Sequence, residues 1–279
     1  MAFRKVTEFK TPEAFAEYVR SENFHIGVAP EVKADGSAAL AQPVPYKGRI
    51  IGNRWAVLPM EGWDCMDDGT PSDFTMRRWL RFALSGAKLI YGTEAGAVMH
   101  TGRSNPQQLL VAPHTGAVLK HIVSEMRRVH REKFGKDDDL VIGIQLTHSG
   151  RYSHPNKADV LEPVTAYQHP LLDKKFHCSA ANVVTDEEVG NIVQHFIAAA
   201  KVAQEAGFDF VDIKSAHGYL GHEFLTAYDR PGKYGGSFEN RTRFFREIAE
   251  GIQKNVPGLD ISARVSLFDV FPFVKGGDG

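Results

Sequence analysis

The 279-residue chain reads as an α/β protein built on a parallel sheet, and three observations carry that reading. Short apolar runs rich in Val, Ile and Leu recur along it with apolar residues on both parities, the pattern of strands buried on both faces. Between them lie longer stretches whose apolar residues repeat with the period of a helix. No G-x-G-x-x-G follows the first run and no G-x-x-x-x-G-K-S/T occurs, so dinucleotide-binding and P-loop versions of the fold lose their main support. Strand–helix alternation implies parallel pairing with right-handed crossovers, and the architecture predicted is a (β/α)8 TIM barrel.

The elements follow in order. Thr11-Pro12 opens an early helix, and a hairpin is expected around Tyr46–Gly52. The five strands are Arg54–Met60, Lys88–Ala95, Leu140–Leu146, Phe210–Ala216 and Asp260–Ser266. Met76, Trp79, Leu80, Ala83 and Leu84 give one helical stripe before Gly86; Val118, Ile122, Met126 and Val129 give another before Gly135. Val189, Ile192, Val193, Phe196, Ile197 and Ala200 form a third, opened by a Thr185–Glu188 capping box and stopped by Gly207. A fourth helix is expected over Ser237–Asn255, capped by the Tyr234-Gly235-Gly236-Ser237 turn. Asp137-Asp138-Asp139 reads as a solvated loop.

Composition narrows the function classes. Lys plus Arg total 33 against 34 Asp plus Glu, a formal charge of −1, which argues against a nucleic-acid partner or a polybasic membrane anchor. There are two cysteines, Cys65 and Cys178, and no C-x-x-C, so a disulfide framework, a structural zinc and a cysteine-held cluster are not expected. Cys65 reads as a loop thiol. H-E-x-x-H is absent although His222-Glu223 is present, and no metal is expected. The N-terminus has no apolar signal core and no run reaches membrane-spanning length, which predicts a cytoplasmic protein without a membrane partner. Homo-oligomerisation stays open.

In a barrel the working residues sit at the C-terminal ends of the strands. Those positions hold Pro59-Met60-Glu61-Gly62, Glu94-Ala95-Gly96, the stretch Gln145 to Tyr152, Lys214-Ser215-Ala216-His217-Gly218-Tyr219, and Arg264-Val265-Ser266. Polar and cationic side chains gather at one end of an otherwise apolar sheet, which stability alone does not require.

These stretches resemble the old yellow enzyme family of FMN-dependent oxidoreductases from about Lys47 onward. AHGYLGHEFLTAYDRPGKYGGSFENRTRF, residues 216–244, is the most specific piece, with NRWAVLPM, EAGAV, QLTHSGRYS and ARVS in the family's order. The resemblance implies FMN and NAD(P)H as cofactors. It places Pro59 and Met60 against the isoalloxazine ring, Ala95 beside its polar edge, Gln145 on its pyrimidine portion and Arg264 near N1 and the C2 carbonyl. It implies an ene-reductase that reduces the activated C=C bond of a small-molecule substrate, an α,β-unsaturated carbonyl compound, with an amine or N-methyl dehydrogenase as the alternative. Where relatives present His-x-x-His or His-x-x-Asn to the substrate oxygen, this chain has Lys214 and His217. A lysine still donates, but its flexible charged stem predicts looser geometry than a ring. Tyr219 matches the family's proton donor and Tyr152 the tyrosine that dienoyl-CoA reductases use instead, so the acid is left between them. Glu61 stands where some relatives carry a redox-tuning cysteine.

One conflict runs through the arithmetic. A barrel needs eight strands and five can be placed; three more βα units need on the order of 100 residues. The chain therefore reads as a single, C-terminally incomplete barrel domain, 1–279, with residues 1–50 as an N-terminal extension. If it ends at Gly279, an inactive fragment or interaction subunit is the alternative, since phosphate-binding loops follow strands seven and eight and the fifth strand offers an unpaired edge.

Overall fold

The computed structural model describes residues 3–29, 31 and 33–268; the predicted stop at Gly276–Gly279 lies outside them. Strands β1 (Val44–Tyr46) and β2 (Arg49–Ile51) form an antiparallel hairpin. The other strands are β3 (Ala56–Val57), β4 (Leu89–Ile90), β5 (Ala95–Ala97), β6 (Val141–Thr147), β7 (Phe210–Ser215) and β8 (Asp260–Val265). They make one sheet in the order β3-β4-β6-β7-β8, with β5 also on β6, and every pairing in it is parallel. The strands thus occupy the five positions expected, in sequence order.

The helices are α1 (Pro12–Ser21), α2 (Asp73–Leu84), α3 (Gly116–Phe134), α4 (Leu172–Phe176), α5 (Asp186–Ala206), α6 (Leu220–Leu225), α7 (Phe238–Arg241) and α8 (Arg243–Asn255). α2 packs on α3, α3 on α5 and α5 on α8, an outer layer in chain order. The main core lies between this layer and the sheet. Trp79, Leu119, Ile122, Met126, Val189, Phe196 and Ile248 pack from the helices against Ile142, Ile144, Val211 and Ile213. Every residue of β6 and β7 is buried, as their unbroken apolar parity predicts.

Four expectations change in detail. The second strand is split: between Ile90 and Ala95 it uses two more residues than β6 does between Ile142 and Gln145. Gly92 sits in that excursion, and a Cβ there would lie 2.2 Å from the Pro59 Cβ, so the two strand ends approach as closely as a glycine allows. The fourth helix breaks into α7 and α8 at Thr242, whose hydroxyl turns back to the Phe238 carbonyl at 2.9 Å, while Arg241 reaches the Leu225 and Gly236 carbonyls. The hairpin begins at Val44, two residues early. Asp137–Asp139 is a loop solvated fully only at Asp138: Asp139 is buried and ion-paired to Lys88 at 2.8 Å, and Asp137 takes Arg131.

The hairpin closes the N-terminal end of the sheet. Tyr46 donates to Asp260 at 2.6 Å, Lys47 pairs with the same carboxylate, and Arg49 meets Asp209 at 3.0 Å. Ile51 packs with Val141 and Phe210 beneath it. With that end closed, the opposite end is where side chains can converge. The Thr185 cap shows how firmly the outer layer is specified: Thr185 Oγ1 accepts from Glu188 N, and Glu188 returns a bond to Thr185 N at 2.7 Å. Thr185→Ala is expected to lower stability by about 1 kcal/mol, read as a fall in the urea midpoint at unchanged slope.

Candidate active site

Parallel pairing aims the C-terminal ends of all five strands the same way, and the residues there line one cleft. Its walls are Pro59, Met60, Glu61, Trp63, Ala95, Gln145, Lys214, His217, Tyr219 and Arg264, around a volume of about 300 Å³. Of the site residues named from sequence, only Tyr152 is missing. Its ring packs 5.7 Å from that of Tyr219, and it lines an adjoining cavity instead, with Tyr167, His169 and Glu223. His217 borders both spaces.

The floor of the cleft follows from strand alternation. Gln145 of β6 stands opposite Asp212 of β7, and Lys214, two residues on and hence on the same face, stands opposite Arg264 of β8. The Gln145 amide nitrogen donates to Asp212 at 2.5 Å and Tyr91 donates to the other oxygen at 2.9 Å. One amide N–H of Gln145 is thus used, and its amide oxygen has no partner in the protein among the described residues and can accept. Ala95 is buried and small, and Met60 is 72% exposed across the mouth. Among the described residues Arg264 has neither an ion pair nor a hydrogen bond from its side chain, although it is only part-exposed. An uncommitted guanidinium at a strand end is a receptor for negative charge.

The residues at the end of β7 are less free than the sequence suggests. Lys214 is not a loose stem: it is 5% exposed, its ammonium meets Glu61 at 3.0 Å, and it lies 3.7 Å from the centre of the Tyr219 ring. The Tyr219 hydroxyl donates to the other Glu61 oxygen at 3.1 Å. Burial, reinforced by the Glu61 carboxylate, raises the Tyr219 pKa far above that of a free phenol. Burial lowers the pKa of His217, and the Lys214 and Arg264 charges add to the effect. His217 and Gly218 both adopt left-handed backbone, φ 63° and 73°. That tight turn swings Tyr219 back over Lys214.

The sequence places Glu61 and Glu94 at strand ends but does not announce that they, with Ser104, hold this arrangement. Glu94 is 1% exposed; it accepts from Gly62 N at 2.5 Å, pairs with Arg78 at 2.5 Å and receives Trp79 Nε1 at 3.4 Å, which pins the turn after β3 to α2. Ser104 donates to Glu61 at 2.5 Å and receives Trp63 Nε1 at 3.0 Å. Glu61 and Glu94 stand in the strand-end stretches read from the sequence, but their partners, 15 to 158 residues away, carry no local signal. Ser104 lies beyond β5, with no motif to mark it. Cys65 is in a loop, as expected, but is buried, and burial pushes its thiol up to about 12, so it is unreactive.

Arg151 and His148 serve the frame. Arg151 is fully buried and binds Glu223 at 2.5 Å and Asp173 more closely still, tying the loop after β6 to α6. Arg151→Met leaves two carboxylates facing each other and is expected to cost about 3–5 kcal/mol of unfolding free energy. His148 packs beneath Gly102 and accepts from Gly150 N at 3.1 Å. Burial, with a smaller effect of His195, depresses its pKa to about 3. The unfolded chain binds a proton near pH 6.5 that the folded chain refuses until about pH 3. Stability from this group is therefore complete above pH 6.5 and falls by about 1.4 kcal/mol per pH unit below it. Urea midpoints from pH 6.5 to pH 5 should fall less steeply, by one proton, in His148→Asn.

The profile of the NADH:flavin oxidoreductase / NADH oxidase family matches residues 39–277. The chain is 35% identical over 234 residues to an NADPH dehydrogenase of Bacillus subtilis (strain 168), covering 82% of this chain and 64% of that one. It is 31% identical over 250 residues to a putative 12-oxophytodienoate reductase 4 of Oryza sativa subsp. japonica, covering 86% and 63%. The crystal structure of old yellow enzyme from Pichia sp. AKU4542 superposes with a TM-score of 0.67 at 25% identity, over 85% of this chain and 61% of that one. The chain thus spans less than two thirds of the length of these relatives, and its five strand positions, with α2, α3, α5 and α8 outside them, are part of a (β/α)8 barrel. By the matched profile and the order of its strand-end residues, the chain belongs to the NADH:flavin oxidoreductase / NADH oxidase family.

Proposed function

We propose that the cleft receives the isoalloxazine ring of FMN and that the chain serves NAD(P)H-dependent reduction of a C=C bond conjugated to a carbonyl. One observation carries the reading: Pro59, Met60, Ala95, Gln145, Lys214, His217, Tyr219 and Arg264 come from five separate strand ends to a single cleft whose Arg264 lacks a protein partner among the described residues. The residues fit the ring. A small Ala95 leaves room at one edge, Gln145 offers an acceptor to a ring N–H, and Arg264 offers a permanent cation to its electron-rich pyrimidine side. The phosphate of such a cofactor is held in barrels of this kind by loops after strands seven and eight, beyond the five strands described. The reading treats the chain as one barrel domain with residues 1–50 as an extension and a cytoplasmic address. No helix among the described residues is long and apolar enough to cross a membrane.

Bound in the cleft, FMN would supply hydride transfer from its reduced N5 to the substrate Cβ. The chain's residues do the remainder. Lys214 and His217 donate to the carbonyl oxygen, where negative charge grows as hydride arrives; losing one such donor costs about 3–4 kcal/mol of barrier. Tyr219 holds the proton destined for Cα and delivers it once its hydroxyl turns away from Glu61. Its place in the cleft favours Tyr219 over Tyr152 as the acid. An amine substrate is disfavoured, because Lys214 already occupies the carboxylate that would receive an ammonium.

The two half-reactions separate these roles. In anaerobic stopped-flow of the FMN-loaded chain, Tyr219→Phe is expected to leave flavin bleaching by NADPH largely intact. Reoxidation by cyclohexenone should slow roughly 10²- to 10⁴-fold. Unchanged reoxidation assigns the proton elsewhere, and an unaltered chain that performs neither half-reaction contradicts the reading.

A further inference from the structure

We propose that Glu61 is a positioning residue that sets the charge of the cleft's substrate end, so that it receives an uncharged carbonyl and turns away a carboxylate. The inference rests on the reading of the cleft just given. Glu61 follows the Pro59–Met60 strand end, and its two oxygens are divided among three partners on two other segments. One takes the Lys214 ammonium at 3.0 Å; the other takes the Ser104 hydroxyl at 2.5 Å and the Tyr219 hydroxyl at 3.1 Å. Carboxylate, ammonium and phenol close into one unit, with the Glu61 side chain 11% exposed and that of Lys214 5%.

The remaining charged neighbours of Lys214 are Arg264 on β8 and Asp212 on its own strand, with His217 beyond the turn. Burial lowers the pKa of Lys214, and Glu61 opposes that fall. An ammonium has three N–H bonds. One is spent on Glu61, and the others remain for a substrate oxygen, which then lies within about 6 Å of the carboxylate. A neutral carbonyl meets a paired, fixed donor there. A carboxylate brings a second negative charge close to Glu61, whose side chain is only 11% exposed, and like charges beside a part-buried group repel more than in bulk water.

Calorimetric titration of the FMN-saturated chain with benzamide and with benzoate, matched in shape and different in charge, tests this. The unaltered protein should bind benzamide more tightly. Glu61→Gln keeps an acceptor and removes the charge, and should shift the affinity ratio toward benzoate roughly 10- to 100-fold. Glu61→Asp keeps the charge on a shorter arm, and should hold the ratio within about threefold of the unaltered protein even if both affinities drop. If both variants weaken the two ligands alike, Glu61 is structural only and the inference fails while the cleft reading stands. If the unaltered chain takes up FMN but neither ligand, the substrate reading of the cleft fails and the inference falls with it.

Discussion

The parallel pairing of β6 is the constraint on which the rest of the molecule depends. It pairs with β4 and β5 on one side and β7 on the other, buried along its whole length. Because all these pairings run the same way, every following loop emerges at one end, and side chains from residue 59 to residue 264 meet in one cleft. Alternation on this strand and β7 then decides the chemistry: Gln145, Asp212 and Lys214 share the inward face. A slip of one residue would turn them into the apolar layer beneath the helices.

Charge buried at the strand ends then fixes the loops. Glu94, Glu61 and Glu223 each enter a nearly dry environment and each is met by a cation and further donors. Such pairs add little net stability compared with apolar packing, but losing one partner is costly, so they act as register pins between loops that share few apolar contacts. Glu94 holds the first turn to α2, Glu223 holds the loop after β6 to α6, and Glu61 bridges the ends of β3, β5 and β7. The site rests on those three carboxylates as much as on the residues that face a ligand.

Much of this was legible in the sequence. Five strands, the capped helix from Asp186 and the cleft residues followed from apolar runs, a Thr185–Glu188 box and the rule that barrels work at their C-terminal face. What escaped was set by long-range contacts. The excursion in the second strand depends on Pro59 lying across Gly92, and the break at Thr242 on Arg241 reaching the end of α6. The rigidity of Lys214 depends on a partner 153 residues away, which no local pattern announces. Asp139 looked solvated because an acidic run usually is; Lys88, from the base of the second strand, buries it. The placing of Tyr219 in the cleft and of Tyr152 beside it likewise depends on the turn at His217 and Gly218.

The central claim is that the cleft at the C-terminal end of this sheet is a flavin-ring site. A crystal structure of the chain grown with FMN tests it most directly. The account predicts the ring lying against Pro59 and Met60, with Ala95, Gln145 and Arg264 along its polar edge and Lys214, His217 and Tyr219 beside the open face. A ring bound elsewhere on the chain, or Arg264 and Gln145 turned away from it, would contradict the account.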